Sequence, residues 1–154
     1  MITRLRAQRV DPKLQALARN RAFLSVPRSE LPKIARFFDE VSLPAGRVLL
    51  HEGRLNHSLI LLVEGTVQVR QSKNPKGRMQ AGDFFGEVSI ESGRPARAEV
   101  VAVTPVRLLV AGDQQYCSIR ERLALPAGTT AETMALRDTP TYLAYTRVSA
   151  RAAG

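Results

Sequence analysis

Between Val41 and Ala111 the chain is cut into apolar segments too short to be helices, separated by Gly46, Gly53, Gly65, Gly77 and Gly82. The pieces are VSL (41–43), RVLLHE (47–52), SLILLVE (58–64), TVQVRQ (66–71), AEVVAV (98–103) and VRLLVA (106–111). Short apolar runs with turn residues between them are the pattern of an all-β sandwich or barrel. In TVQVRQ, Val67 and Val69 alternate with Gln68 and Arg70, the period of a half-buried strand. SLILLV is apolar on both faces and is expected to be a central strand.

Helices are expected on both sides of this series. Asp11 before Pro12 combines a side-chain cap with a first-turn proline, and Leu14, Leu17 and Ala18 then share one stripe. A second start falls at Ser29, after which Leu31, Ile34, Ala35 and Phe38 keep the spacing of a buried helix face. After Gly112, Asp113 can cap a third helix with Tyr116, Ile119 and Leu123 on its inner side and Arg120, Glu121 and Arg122 in solvent. Beyond Pro126 the chain turns small and polar, with ETMALRD suited to a turn or two of helix and TYLAYTRV to a short strand or arm.

A chain of 154 residues is one domain's worth and can bury a core without staples. Its single cysteine, Cys117, cannot make an internal bridge and is expected as a packed thiol, which fits a reducing, cytoplasmic setting. No apolar run approaches the ~20 residues of a membrane helix. The formal charge is +9, yet residues 1–36 hold nine of the 23 Lys/Arg and two of the 14 Asp/Glu, a net of +7. The excess therefore describes a basic front end, with Arg4, Arg6, Arg9, Lys13, Arg19 and Arg21 available to an acidic protein or RNA phosphates. No aromatic residues are interleaved for base stacking, which disfavours sequence-specific nucleic-acid reading.

Chemistry concentrates between two of the strands, in Gly82-Asp83-Phe84-Phe85-Gly86-Glu87-Val88-Ser89-Ile90 and the following Gly93-Arg94-Pro95-Ala96-Arg97-Ala98-Glu99. A glycine turn leading into a short helix offers backbone N–H groups to an anion. A nearby arginine can donate charge-assisted bonds to phosphate oxygens. A carboxylate such as Glu87 can accept from a ribose hydroxyl. His51 and His57 flank Gly53 without a third Cys, His or clustered carboxylate, so no metal site is expected. G-x-S-x-G, H-E-x-x-H and Walker-type loops are absent from the sequence, and nothing in it supports an enzyme.

From about Phe23 to Leu123 the sequence resembles the cyclic nucleotide-binding domains of catabolite-activator-type regulators, kinase regulatory subunits and gated channels. The resemblance rests on LPAGRVLLHEG (43–53), VEG (63–65), GDFFGEVSI (82–90), the Gly93 and Pro95 of G-x-P, and AEVVAVTPVRLLV (98–110), in matching order and spacing. It implies a mainly β fold: an eight-stranded jelly-roll-type β-roll, or double-stranded β-helix, flanked by helices, with a phosphate-binding cassette between strands six and seven. It implies a ligand site made of Phe85, Gly86, Glu87, Val88, Ser89, Arg97 and Ala98. The backbone from Gly86 onward would meet the cyclic phosphate of cAMP or cGMP, and Glu87 the ribose 2′-hydroxyl.

One position departs from the family pattern. The phosphate arginine usually follows the proline directly, whereas here Ala96 follows Pro95 and the arginine is Arg97. If the loop slides, Arg97 reaches the anion, with Arg94 a second candidate. If the following strand locks the register, Arg97 faces away and Glu99 brings a second carboxylate near the ligand.

The domain plan expected is a basic extension (1–22), the ligand-binding-like domain (23–123) and a tail or arm (124–154) too short for a winged helix-turn-helix. The function expected is a non-enzymatic, cytoplasmic cyclic-nucleotide-sensing module that acts on a partner protein through its N-terminal helices and C-terminal arm. The alternative is the same roll with a dead pocket, serving as an accessory or scaffold subunit of a larger assembly.

Overall fold

A computed structural model of the protein describes residues 11–123 and Ala131. Arg4, Arg6, Arg9, TYLAYTRV and all of ETMALRD lie outside the described residues, as does the tail apart from Ala131.

The helical front is close to expectation. Helix α1 (Pro12–Arg19) starts where Asp11 accepts the Lys13 N–H at 2.9 Å, with proline in the first turn. Helix α2 (Leu31–Ala35) follows a 3-10 turn over Arg28–Glu30, so Ser29 lies within that turn and does not cap the helix. Leu31, Ile34, Ala35 and Phe38 are nevertheless all buried, and Phe38 meets Phe23 edge to face at 5.8 Å.

Eight strands follow: β1 (Asp39–Leu43), β2 (Val48–Leu50), β3 (Ser58–Glu64), β4 (Thr66–Gln71), β5 (Asn74–Gln80), β6 (Phe84–Phe85), β7 (Glu99–Ala102) and β8 (Val106–Gly112). Helix α3 (Glu87–Ser92) sits between β6 and β7, and α4 (Asp113–Ile119) closes the series. The strands form two antiparallel four-stranded sheets, ordered β1-β8-β3-β6 and β2-β7-β4-β5. This is the expected β-roll with helical flanks.

The double-sided apolarity of β3 has a direct cause. Leu59 and Leu61 face a cluster with Leu17, Phe23, Ile34, Phe38, Phe84 and Tyr116, whereas Ile60 and Leu62 face the roll interior with Val67, Val69, Phe85, Val100 and Leu108. One sheet is thus covered by helices on one side and by the second sheet on the other, which requires apolar residues at consecutive positions. Its neighbours in the sheet, β8 and β6, make β3 an inner strand. Leu17 of α1 belongs to the first cluster, and Arg21 N–H donates to the Gly82 carbonyl at 2.9 Å, so the helical front shares the core of the roll.

Strand β5, NPKGRMQ, carries no sequence signal of a strand. It lies at a sheet edge, where Pro75 is tolerated and only Met79 needs burial. Two details at α4 also differ from expectation. Gly112 occupies the cap position and Asp113 is the first helical residue. Cys117 is exposed, because Tyr116 and Ile119 take the buried face and Cys117 lies about 100° around the helix from Tyr116. Ala131 is fully buried among the roll-interior residues.

Candidate functional site

The site is built where β6 ends. Phe84 and Phe85 pair with Leu61 and Ile60 of β3, which sends Phe84 to the helix side and Phe85 into the roll. The chain then turns at Gly86, whose φ of +100° is open to glycine and strained for other residues. A Cβ at Gly86 would overlap the Ser58 carbonyl oxygen and approach the Asn56 amide. Glycine is required here both for its φ and for the closeness of the neighbouring chain.

The turn starts α3 with its polar groups facing inward. Glu87 is 1% exposed and Ser89 is buried beside it. Asn56, in the loop before β3, braces the turn by donating its side-chain amide to the Ser58 carbonyl at 2.7 Å and the Gly86 carbonyl at 2.9 Å. Its backbone N–H donates to Ser89 Oγ at 3.2 Å, and that hydroxyl donates onward to the Arg94 carbonyl at 2.6 Å. Asn56 was not anticipated as part of the site. The available signal was a turn-forming residue directly before a strand start.

The loop after Gly93 is in the locked register. Gly53 N–H donates to the Ala96 carbonyl at 2.7 Å, and Ala96 N–H donates to the Arg54 carbonyl at 2.8 Å. Ala96, Ala98, Val100 and Ala102 are buried in turn, and the residues between them point the other way. Ala96 is 2% exposed and Arg97 is exposed. Arg97 lines a shallow cleft of about 470 Å³ with Glu52, Gln71, Arg94 and Pro95. Glu99 pairs across the strands with Arg70 on the same outer side, so it does not crowd the ligand side as the locked register was expected to make it do.

Of the seven expected residues, Phe85 and Ala98 belong to the roll-interior cluster, Gly86, Glu87 and Ser89 are buried, Val88 is half-buried, and Arg97 is exposed. Among the described residues Glu87 is the one buried charged side chain, the other buried polar ones being Asn20 and Ser89. A second unanticipated link joins the site to the last helix: Tyr116 donates its hydroxyl to Glu91 at 2.7 Å, and Arg120 meets the other oxygen of that carboxylate at 3.4 Å. His57 lies 3.3 Å from Asp113 at the surface. No group of three metal-ligating side chains, and no helix long and apolar enough to cross a membrane, occurs among the described residues.

The family model of the cyclic nucleotide-binding domain matches residues 40–122, which include every one of the positions just described. The chain belongs to the cyclic nucleotide-binding domain family. This cyclic nucleotide-binding domain is 36% identical over 87 residues to a cyclic nucleotide-gated potassium channel of Rhizobium etli, covering 56% of the chain and 24% of the channel. It is 33% identical over 81 residues to a cAMP-dependent protein kinase regulatory subunit of Aspergillus fumigatus, covering 51% of the chain and 20% of that subunit. The match thus spans a quarter or less of these relatives' length.

Among solved structures, the domain is similar to cAMP-bound PfPKA-R, with a TM-score of 0.69 at 15% identity over 89% of this chain and 46% of that one. It is also similar to the regulatory subunit of a cAMP-independent protein kinase A from Trypanosoma cruzi bound to guanosine, with a TM-score of 0.64 at 23% identity over 91% of this chain and 49% of that one. At these identities the likeness is one of fold.

Proposed function

We propose that the chain is a non-enzymatic regulatory module in which a cyclic nucleotide, cAMP or cGMP, seats in the β-roll against Phe85, Gly86, Glu87, Val88, Ser89 and Ala98. Family membership supports the ligand class, and the relatives named above are regulatory subunits and gated channels. The observation that carries the reading is Glu87, a buried carboxylate immediately after a glycine that both its φ and the closeness of the neighbouring chain require. A carboxylate is an acceptor, and a ribose hydroxyl is a donor suited to it. Arg97 has the role of a rim cation in this reading. The bound state acts on a partner protein in the cytoplasm through the basic N-terminal helices and the C-terminal arm, because a ligand acts only through its different affinity for two states.

Calorimetry on protein freed of carried-over nucleotide tests this. Binding of cAMP or cGMP at micromolar or tighter affinity, weakened by Glu87→Ala, is expected. No heat and no thermal shift with either nucleotide at millimolar concentration would refute it.

A second reading is favoured by Ala96, which stands where family members usually carry an arginine. In that reading the roll is a ligand-free accessory subunit of a larger assembly, with its two ends buried against other chains. Limited proteolysis in cell extract separates the two readings. Ends that are cut at once on a monomeric protein count against a scaffold.

A further inference from the structure

We infer that the outer face of the sheet β2-β7-β4-β5, at its β4–β5 hairpin, is a docking surface for an acidic peptide segment of a partner protein, with apolar residues among its carboxylates. The inference stands apart from the cassette and from any ligand held there.

The charge of the hairpin is one-sided. Residues 66–80 carry Arg70, Lys73, Lys76 and Arg78 and no Asp or Glu. All four cations are exposed, and none of them has an ion pair among the described residues. Elsewhere Arg21, Arg107, Arg120 and Arg122 each lie 3.1–3.6 Å from a carboxylate. Two acids adjoin the hairpin. Glu52 accepts the Ser72 N–H on both oxygens, at 3.2 and 2.9 Å, and Glu99 stands opposite Arg70 in register. Lys73, Lys76 and Arg78 remain unanswered.

These cations sit on a rigid support that the core does not explain. Val67, Val69 and Met79 anchor the two strands in the roll interior. Arg78 Nε donates to Gln68 Oε1 at 3.4 Å, and the Gln68 amide donates to the Gly77 carbonyl at 2.7 Å. The turn is left-handed at Ser72 (φ +49°) and Lys73 (φ +66°), a conformation that side chains with a Cβ adopt only at a cost. Strand β5 buries only Met79, so burial gives little reason for a strained turn that sets Lys73 at its tip.

Beside the cations the face is apolar and open. Val101 lies opposite Gln68 and is half-buried, and Val103, one residue past β7, is 40% exposed. No residue of β2, β4, β5 or β7 belongs to the cluster that the helices cover.

Charge decides what fits there. Residues 1–10 hold three Arg and no acid, and residues 124–154 hold three Arg against Glu132 and Asp138, so both ends of the chain are net basic. A second copy would bring the same cations to the contact. Pro75 and the bulge at Lys76 close the β5 edge to an added strand, which leaves the face. RNA bases would find no aromatic ring on the hairpin, and a membrane would meet Ser72, Lys73 and Asn74 at the tip with no apolar side chain to insert. An acidic peptide supplies carboxylates to Lys73, Lys76 and Arg78 and apolar side chains to Val101 and Val103.

Fluorescence anisotropy of the full chain with a labelled peptide of about ten residues, alternating Glu and Val, at low salt is the test. Lys73→Glu/Lys76→Glu/Arg78→Glu is compared with Arg19→Glu/Arg28→Glu/Lys33→Glu, which makes the same change in net charge at exposed positions of the helical front. The hairpin variant is expected to lose at least about tenfold in affinity and the front variant no more than about twofold. Val103→Ser should lose about threefold. If the hairpin reversal fails to fold, Lys73→Gln/Lys76→Gln/Arg78→Gln decides, with an expected loss of at least about fivefold.

Equal losses in the two reversal variants would reduce the binding to net charge and overturn the inference. A larger loss on the front variant, or a wild type that does not bind the peptide at millimolar concentration, would overturn it as well. Tighter binding of the wild type to phosphatidylserine vesicles or to single-stranded RNA than to the peptide would overturn the partner class.

Discussion

The helix end of the cassette and its strand end are joined through one hydroxyl, that of Ser89, yet they present opposite chemistry to the roll interior. At the helix end a left-handed glycine, an Asn56 brace and a short helix place Glu87 and Ser89 inward, polar groups deliberately carried into an apolar space. At the strand end, equally well-formed backbone hydrogen bonds place Ala96 and Ala98 inward and Arg97 outward. The difference lies in phase. A residue type that is one position off in a strand keeps the composition of a site and moves its chemistry to the other face.

The helix end should break first and hardest. Gly86→Ala must force a left-handed backbone on a residue with a Cβ and push that Cβ into the Ser58 carbonyl, for a loss of about 3 kcal/mol or more. Urea unfolding with an unchanged slope and a lower midpoint would register it. Asn56→Ala removes a donor from two carbonyls and should cost about 2 kcal/mol in the same assay. Ser89→Ala removes the hydroxyl that connects the two ends, with an expected cost of about 1.5 kcal/mol. Its more telling readout is amide exchange. The Ala96 N–H should lose protection selectively, and equal loss across β7 would show that the two ends are not joined in this way. Tyr116→Phe, which removes the Tyr116 bond to Glu91 and leaves that of Arg120, should cost about 1 kcal/mol and leave the cassette amides protected.

Much of this was legible in the residues, for reasons that differ by element. Strand β3 announces itself because both of its faces are covered, and the Gly86-Glu87 pair because a turn and an acid stand together in an otherwise apolar run. Strand β5 does not, since an edge strand made of NPKGRMQ buries little more than Met79 and pairs through backbone groups that every residue has. Cys117 misleads because a thiol's preference for burial is weaker than the demand of Tyr116 and Ile119 for the inner face. The loop register was undecidable from sequence for the same reason as β5. Gly53, Arg54 and Ala96 lock it with main-chain N–H and C=O groups, and these leave no trace in side-chain identity.

The smallest effect is the sharpest test of phase. Arg97→Ala should change stability by no more than about 0.5 kcal/mol, because the side chain is exposed at the rim of the outer cleft, where the contacts it makes are screened by solvent, and the strand behind it is held by its neighbours' backbone. Ala96→Ser is its inward counterpart on the same strand, one residue away. It places a hydroxyl at a site that is 2% exposed and should cost about 1–2 kcal/mol unless a donor or acceptor is within reach. Thermal melts of the two variants side by side measure the asymmetry directly. Equal losses would mean that positions 96 and 97 share the interior, and a larger loss at Arg97 would mean that the strand presents its other face to the roll.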